Sequence, residues 1–142
     1  MIFEHTWHFF VRGQPITQGS MRAFVVKGRP IITSANKNLK DWRTLVALQA
    51  QTEATMECPL DGPISMALEF YMPRPKSLKK GVSYPIKARS GDIDKLARAV
   101  LDALTSIFYT DDSQVVDLSV NKYWAMTGDD SQPPGVFVEI SG

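Results

Sequence analysis

The sequence is poor in the residues that many catalytic and structural frameworks require. A single cysteine, Cys58, cannot close an internal disulfide, so a secreted disulfide scaffold is excluded and the thiol reads as structural, in a reducing cytosol. Histidine occurs only at His5 and His8, and in a strand that odd spacing points the two rings to opposite faces, which argues against a shared metal site. No Gly-x-Ser-x-Gly is present, and with so few histidines a serine or cysteine nucleophile lacks its base. The Walker pattern Gly-x-x-x-x-Gly-Lys-Ser/Thr and a calcium loop of EF-hand spacing are both absent, so no nucleotide cofactor is expected. No window approaches the roughly 18 apolar residues that cross a bilayer. The opening residues carry Glu4 and no basic stretch, unlike a signal peptide. A cytoplasmic protein without membrane contact is the expectation.

What is present suits one compact domain over residues 1–142, with 44% hydrophobic and 22% charged positions. The net charge of +1 neither demands nor forbids a polyanionic partner. Its distribution is more informative. Residues 74–98 hold eight basic and two acidic side chains, whereas residues 99–142 hold one basic and seven acidic.

Residues 5–12 are rich in aromatic and β-favouring types and stop at Gly13-Gln14-Pro15, as a strand entering a turn would. Ala23–Lys27 and Ile31–Thr33, separated by Gly28-Arg29-Pro30, suggest a hairpin. From a cap at Ser34 or Asn36, the residues Leu39, Trp42, Leu45, Val46 and Ala50 recur at helical intervals and predict a helix reaching about Met56. Alternation at Ile64, Met66, Leu68 and Phe70 predicts a strand. Residues 73–91 then form a loop with three prolines and six cations: Arg74, Lys76, Lys79, Lys80, Lys87 and Arg89. It reads either as a solvated linker or as a landing strip for phosphates. A second helix runs from Ile93 and breaks near Tyr109, and strands follow at Val116–Val120 and Val136–Ile140. Trp7, Trp42 and Trp124 read as core anchors rather than base-stacking platforms. The order predicts an α+β domain with a mixed sheet and two main helices.

Chemistry concentrates in Gly91-Asp92-Ile93-Asp94-Lys95 and in Tyr109-Thr110-Asp111-Asp112-Ser113-Gln114. At about 100° per residue, Asp94, Arg98 and Asp102 share one face of the second helix and Leu96, Val100 and Leu104 the other. Alone, Asp92 reads as a helix cap, Asp111 or Asp112 as a turn former, and Asp102 as part of a solvated face. Together, Asp92 and Asp94 converge if Asp92 lies in extended backbone, and their repulsion then calls for a counter-charge. A Mg²⁺ ion suits it, being a hard cation that takes one or two carboxylates. Asp111 and Asp112 join that pair only if the loop after the helix returns across the helix N-terminus through a neighbouring strand. Acids directly after a basic loop suit a site that draws in nucleic-acid phosphates and hydrolyses one with metal help.

The segment GDIDKLARAVLDAL, followed about twenty residues after Asp92 by Asp111-Asp112-Ser113-Gln114-Val115, resembles the endodeoxyribonuclease RusA family of Holliday junction resolvases. That family's core reads Asp-x-Asp-Asn-Leu-x-Lys, Leu-Asp-Ala-Leu and Asp-Asp-x-Gln-Val. The specific match spans residues 91–116, about a fifth of the chain, with Gly13-Gln14-Pro15, Gly19-Ser20-Met21-Arg22 and Lys122 fitting more loosely. The resemblance implies a RusA-like fold and a metal site at Asp92, Asp94 and Asp112, with Asp111 as neighbour and Asp102 in support. It implies Mg²⁺, with Mn²⁺ able to substitute, and a homodimer nicking a four-way DNA junction symmetrically. The family's Asn is Lys95 here and its functional lysine is Arg98, which keeps the charge without the compact ammonium. Lys76, Lys79, Lys80, Lys87, Arg89, Lys95 and Lys122 are the expected DNA contacts. The alternatives are a non-catalytic branched-DNA binder and a related metal nuclease acting on other branched DNA.

Overall fold

A computed structural model describes residues 3–19, 21–34, 38–78, 84–86, 90–126 and 132–142, with the backbone alone for 21–26 and 30–34. Strands β1 (Thr6–Arg12), β2 (Met21–Val26) and β3 (Arg29–Ser34) precede helix α1 (Leu39–Glu53). Strand β4 (Ile64–Met72), helix α2 (Ile93–Leu104), strand β5 (Val115–Trp124) and strand β6 (Gly135–Ser141) follow. The main sheet has the order β1-β6-β4-β5, in which β4 and β5 alone run parallel. Parallel neighbours need a crossover, and α2 supplies it. The result is the expected single α+β domain with a mixed sheet.

Period-two alternation makes β4 a central strand. Ile64, Met66, Leu68, Phe70 and Met72 are buried, while the residues between them are half-exposed. Deleting the fully buried Leu68 side chain to alanine is expected to cost about 2–5 kcal/mol. Against this face α1 sets Leu39, Trp42, Val46 and Ala50, and α2 sets Leu96, Ala97, Val100 and Leu104. Trp42 is buried in the core and Trp7 and Trp124 pack on its edge, as core anchors do. Gly135 is required where β6 passes β1: its φ is +156°, and a Cβ there would stand 2.1 Å from the Val11 carbonyl oxygen.

Several boundaries differ from the sequence reading, each for a local reason. The β2–β3 hairpin turns at Lys27 and Gly28, both with positive φ, as a two-residue type I′ turn requires. Ser34 ends β3, Asn36 lies outside the described residues, and the α1 N-cap position is Asn38. That helix stops at Glu53, short of Met56, because Ala54 turns to extended backbone. Helix α2 stops at Leu104, before Phe108. Thr105 is extended, Ser106 has φ +74°, and the Leu101 carbonyl accepts from Thr105 Oγ1 at 2.9 Å and from the buried Tyr109 hydroxyl at 2.7 Å. These hydroxyls satisfy a helix-end carbonyl that another turn would otherwise have used.

Candidate active site

The entrance of α2 is held from three sides. Gly91 has φ +95°, and a Cβ there would stand 2.7 Å from Thr17 Cγ2, so this crossing of the residue 13–19 connector requires glycine. Lys122 of β5 donates to the Gly91 carbonyl at 2.7 Å and to Ser90 Oγ at 3.2 Å, while Ser90 Oγ donates to the Pro85 carbonyl at 2.9 Å. The Gln18 backbone N–H donates to the Lys95 carbonyl at 3.0 Å, and its side-chain amide donates to the Asp102 carboxylate. Asp92 is therefore held in extended backbone, with φ −74° and ψ 137°, at the N-cap position. Its side chain makes no cap hydrogen bond. The carboxylate instead lies 3.4 Å from Lys95 Nζ.

The second acidic segment is fixed by one amide. Gln114 Oε1 accepts from the Thr110 and Asp111 N–H groups at 2.9 and 3.0 Å, and Gln114 Nε2 donates to the carbonyls of Leu60 and Gly62 at 2.8 and 3.0 Å. All four hydrogen-bonding positions of that amide are thus used, tying the turn after α2 to the turn before β4. Asp111 Oδ1 accepts from Ser113 N–H at 2.9 Å, and this bond to the backbone holds the Asp111 carboxyl below the usual carboxylate range. Asp112 begins a single 3-10 turn and is free of such capping work.

Asp94, Arg98 and Asp112 line one cleft of about 370 Å³, whose apolar walls are Ile93, Ala97, Leu101, Leu118 and Val120. Asp112 of the post-helix segment thus lies beside Asp94 and Arg98 of α2, but Asp92 at the helix entrance does not line the same cleft. Desolvation by these walls raises the Asp112 pKa, the negative charges of Asp111 and Asp102 raise it further, and Arg98 opposes them. The cleft sets one guanidinium, Arg98, beside two carboxylates, Asp94 and Asp112, against apolar walls.

The sequence-selected residues divide accordingly. Asp94, Arg98 and Asp112 meet in the cleft; Asp92 does not line it and pairs with Lys95; Asp111 caps its own turn. Among the described residues, no group of three or more His, Cys, Asp or Glu side chains is gathered to hold a metal ion. Mg²⁺ asks for less than that, since it uses one or two carboxylates and fills its shell with water and substrate phosphate. The hard oxygen donors of Asp94 and Asp112 fit such an ion. Of the expected DNA contacts, Lys76 is exposed and Lys122 serves the Ser90–Gly91 turn, while Lys79, Lys80, Lys87 and Arg89 lie outside the described residues. The positioning work of Gln114, Gln18 and Lys122 was missed from the sequence. Gln114 stood within the quoted motif, which was its only signal.

Comparison with known proteins matches residues 12–141 to the family described as Endodeoxyribonuclease RusA. The uncharacterized protein YqaN of Bacillus subtilis (strain 168) is 35% identical over 127 residues, covering 82% of this chain and 87% of that protein.

Proposed function

This chain belongs to the endodeoxyribonuclease RusA family, and from that premise we propose that it is a Mg²⁺-dependent resolvase of four-way DNA junctions. The observation that carries the reading is the cleft that Asp112 shares with Asp94 and Arg98, whose helix follows in sequence a segment rich in cations and free of acids. Asp94 and Asp112 would hold the ion, with Asp92 joining once its carboxylate leaves Lys95. When bound, Mg²⁺, or Mn²⁺ in its place, supplies Lewis-acid polarisation of a phosphate oxygen and a lowered pKa for its own water.

The chain's residues do the rest. Arg98 lies in the cleft with its guanidinium available to a non-bridging phosphate oxygen, where it offsets charge that grows during hydrolysis. Ile93, Leu118 and Val120 give one side of that contact an apolar wall. Gln114 and Lys122 fix the two backbone segments that carry the acids, so little of the arrangement has to be ordered during reaction. Lys76 and its neighbours in residues 73–91 grip backbone phosphates without reading bases. A homodimer presents two such clefts to the two-fold symmetry of a junction, giving paired nicks in strands of like polarity. No helix among the described residues is long and apolar enough to cross a membrane, and action on DNA in the cytoplasm is part of the proposal.

The test is a synthetic four-way junction incubated with protein and Mg²⁺, with and without a chelator. Paired symmetric nicks that the chelator abolishes are expected. The Asp92–Lys95 ion pair favours a second reading, a branched-DNA binder without catalysis, which predicts salt-sensitive junction binding and no nick with any divalent metal. A panel of flaps and forks separates a nuclease of other branched substrates.

A further inference from the structure

The face of the sheet turned away from the helices carries an aromatic cleft that hydrolysis does not use. On β4 the half-exposed residues alternate with the buried set, and the register places Tyr71 opposite Tyr123 of β5. Their rings stack with centroids 5.6 Å apart and planes 27° apart. Tyr84, from the basic segment, stands 6.1 Å from Tyr123 and is 57% exposed. These three rings, with Glu69, Trp124 and Met126, line a cleft of about 420 Å³. Such a volume falls within the range of small-ligand sites.

Charge and chemistry select the occupant. Tyr84 lies in sequence within residues 73–91, a stretch with six Lys or Arg and no Asp or Glu, and that charge favours a polyanionic partner. An acidic peptide fits poorly, because the Glu69 carboxylate is already in the cleft, accepting from the Tyr71 hydroxyl at 2.9 Å. A nucleobase fits on both counts. Its planar ring stacks on tyrosine faces, and its exocyclic amino group can donate to a carboxylate oxygen. Burial and the bond to Glu69 push the Tyr71 phenol up to about 12, which keeps it a neutral donor at working pH.

We propose that this cleft receives one unpaired nucleobase of branched DNA, stacked on Tyr84 and Tyr123, with Glu69 favouring bases that carry an amino group. The inference rests on the DNA reading above and adds a second contact site, on the sheet face opposite the hydrolytic cleft. A junction whose branch-point base is unstacked would then be held at two places on one protomer.

The test uses the full chain in a chelating buffer, with 2-aminopurine placed either in a short single strand or at the branch point of a four-way junction. Quenching of the probe on binding is expected for the wild type. Tyr84→Ala should weaken single-strand binding about 5- to 100-fold and lose the quench while keeping the circular dichroism spectrum. Tyr123→Phe should retain both and Tyr123→Leu should lose both. Unchanged affinity and quench in Tyr84→Ala and Tyr123→Leu would overturn the proposal. So would a change confined to the sedimentation coefficient, since the cleft would then bind a second copy of the chain. Nicking by the wild type in Mg²⁺ is scored separately. Quenching without nicking sustains the cleft and removes the resolvase reading, nicking with an indifferent Tyr84→Ala removes the cleft alone, and no DNA binding at all removes both.

Discussion

Asp92 and Asp112 are both exposed carboxylates at the start of helical turns, yet their electrical surroundings are opposed. Asp92 has Lys95 Nζ at 3.4 Å. Asp112 is raised in pKa by desolvation and by the charges of Asp111 and Asp102, with Arg98 opposing them. Under the proposed reading Asp92 would give up Lys95 to meet a metal ion, whereas Asp112 has no such ion pair to break. The backbone around both is already fixed, by Lys122 at one end and Gln114 at the other. The difference fits the proposed metal site, whose frame is built in advance and whose carboxylates the ion would gather.

The largest expected effect is at the acids that line the cleft with Arg98. Asp94→Asn and Asp112→Asn should each slow junction nicking on the order of 10²-fold or more while junction binding is retained, as measured in single-turnover cleavage and gel-shift assays. Activity within a few-fold of wild type would remove these acids from the chemistry. Next comes the frame. Gln114→Ala leaves four backbone groups without their partner, and a urea melt should show a loss of about 1–3 kcal/mol together with reduced nicking. A wild-type melt and rate would mean that the turn holds itself.

Neutralising Lys79 and Lys80 together should weaken junction binding and make the slope of log affinity against log salt shallower by about 2. An unchanged slope would make residues 73–91 a linker. On the paired side, Lys95→Met releases Asp92 and should lower the Mg²⁺ concentration for half-maximal rate about two-fold. A higher requirement would place Lys95 on substrate instead.

The smallest effect concerns stability. The folded-state pKa of Asp112 is raised, so the folded chain holds that proton more tightly than the unfolded chain. Its ionised form therefore detracts from stability at neutral pH, and the loss fades as pH falls through the carboxylate range. Asp112→Asn without divalent metal should melt about 1 °C higher at pH 7 and equal to wild type at about pH 3. Equal melting at both values would show that Asp112 is not crowded.

Strong periodicity explains what the sequence revealed. Alternation marked β4, and the apolar stripe of Leu96, Val100 and Leu104 marked α2, because those faces are buried and each step is constrained by packing. The alternation that predicts β5 reaches only Val120, though the strand runs to Trp124. It is an edge strand with Val116 58% and Leu118 40% exposed, so alternation there carries little burial signal. The end of α2 depended on the Tyr109 hydroxyl reaching Leu101, a contact that spacing cannot show. The acids could be picked out by their residue types, but that Asp94 and Asp112 share a cleft while Asp92 pairs away from it needed the crossover. Gln114 and Lys122 act across 52 and 31 residues of chain on backbone carbonyls, which leave no mark on residue type.

The most direct test of the central claim is an anomalous diffraction map of crystals soaked in Mn²⁺ with a junction arm bound. The account predicts a single strong peak within coordination distance of both Asp94 and Asp112, with the Asp92 carboxylate turned from Lys95 toward it. A clear map with no peak there, and Asp112 facing away from Asp94, would contradict it.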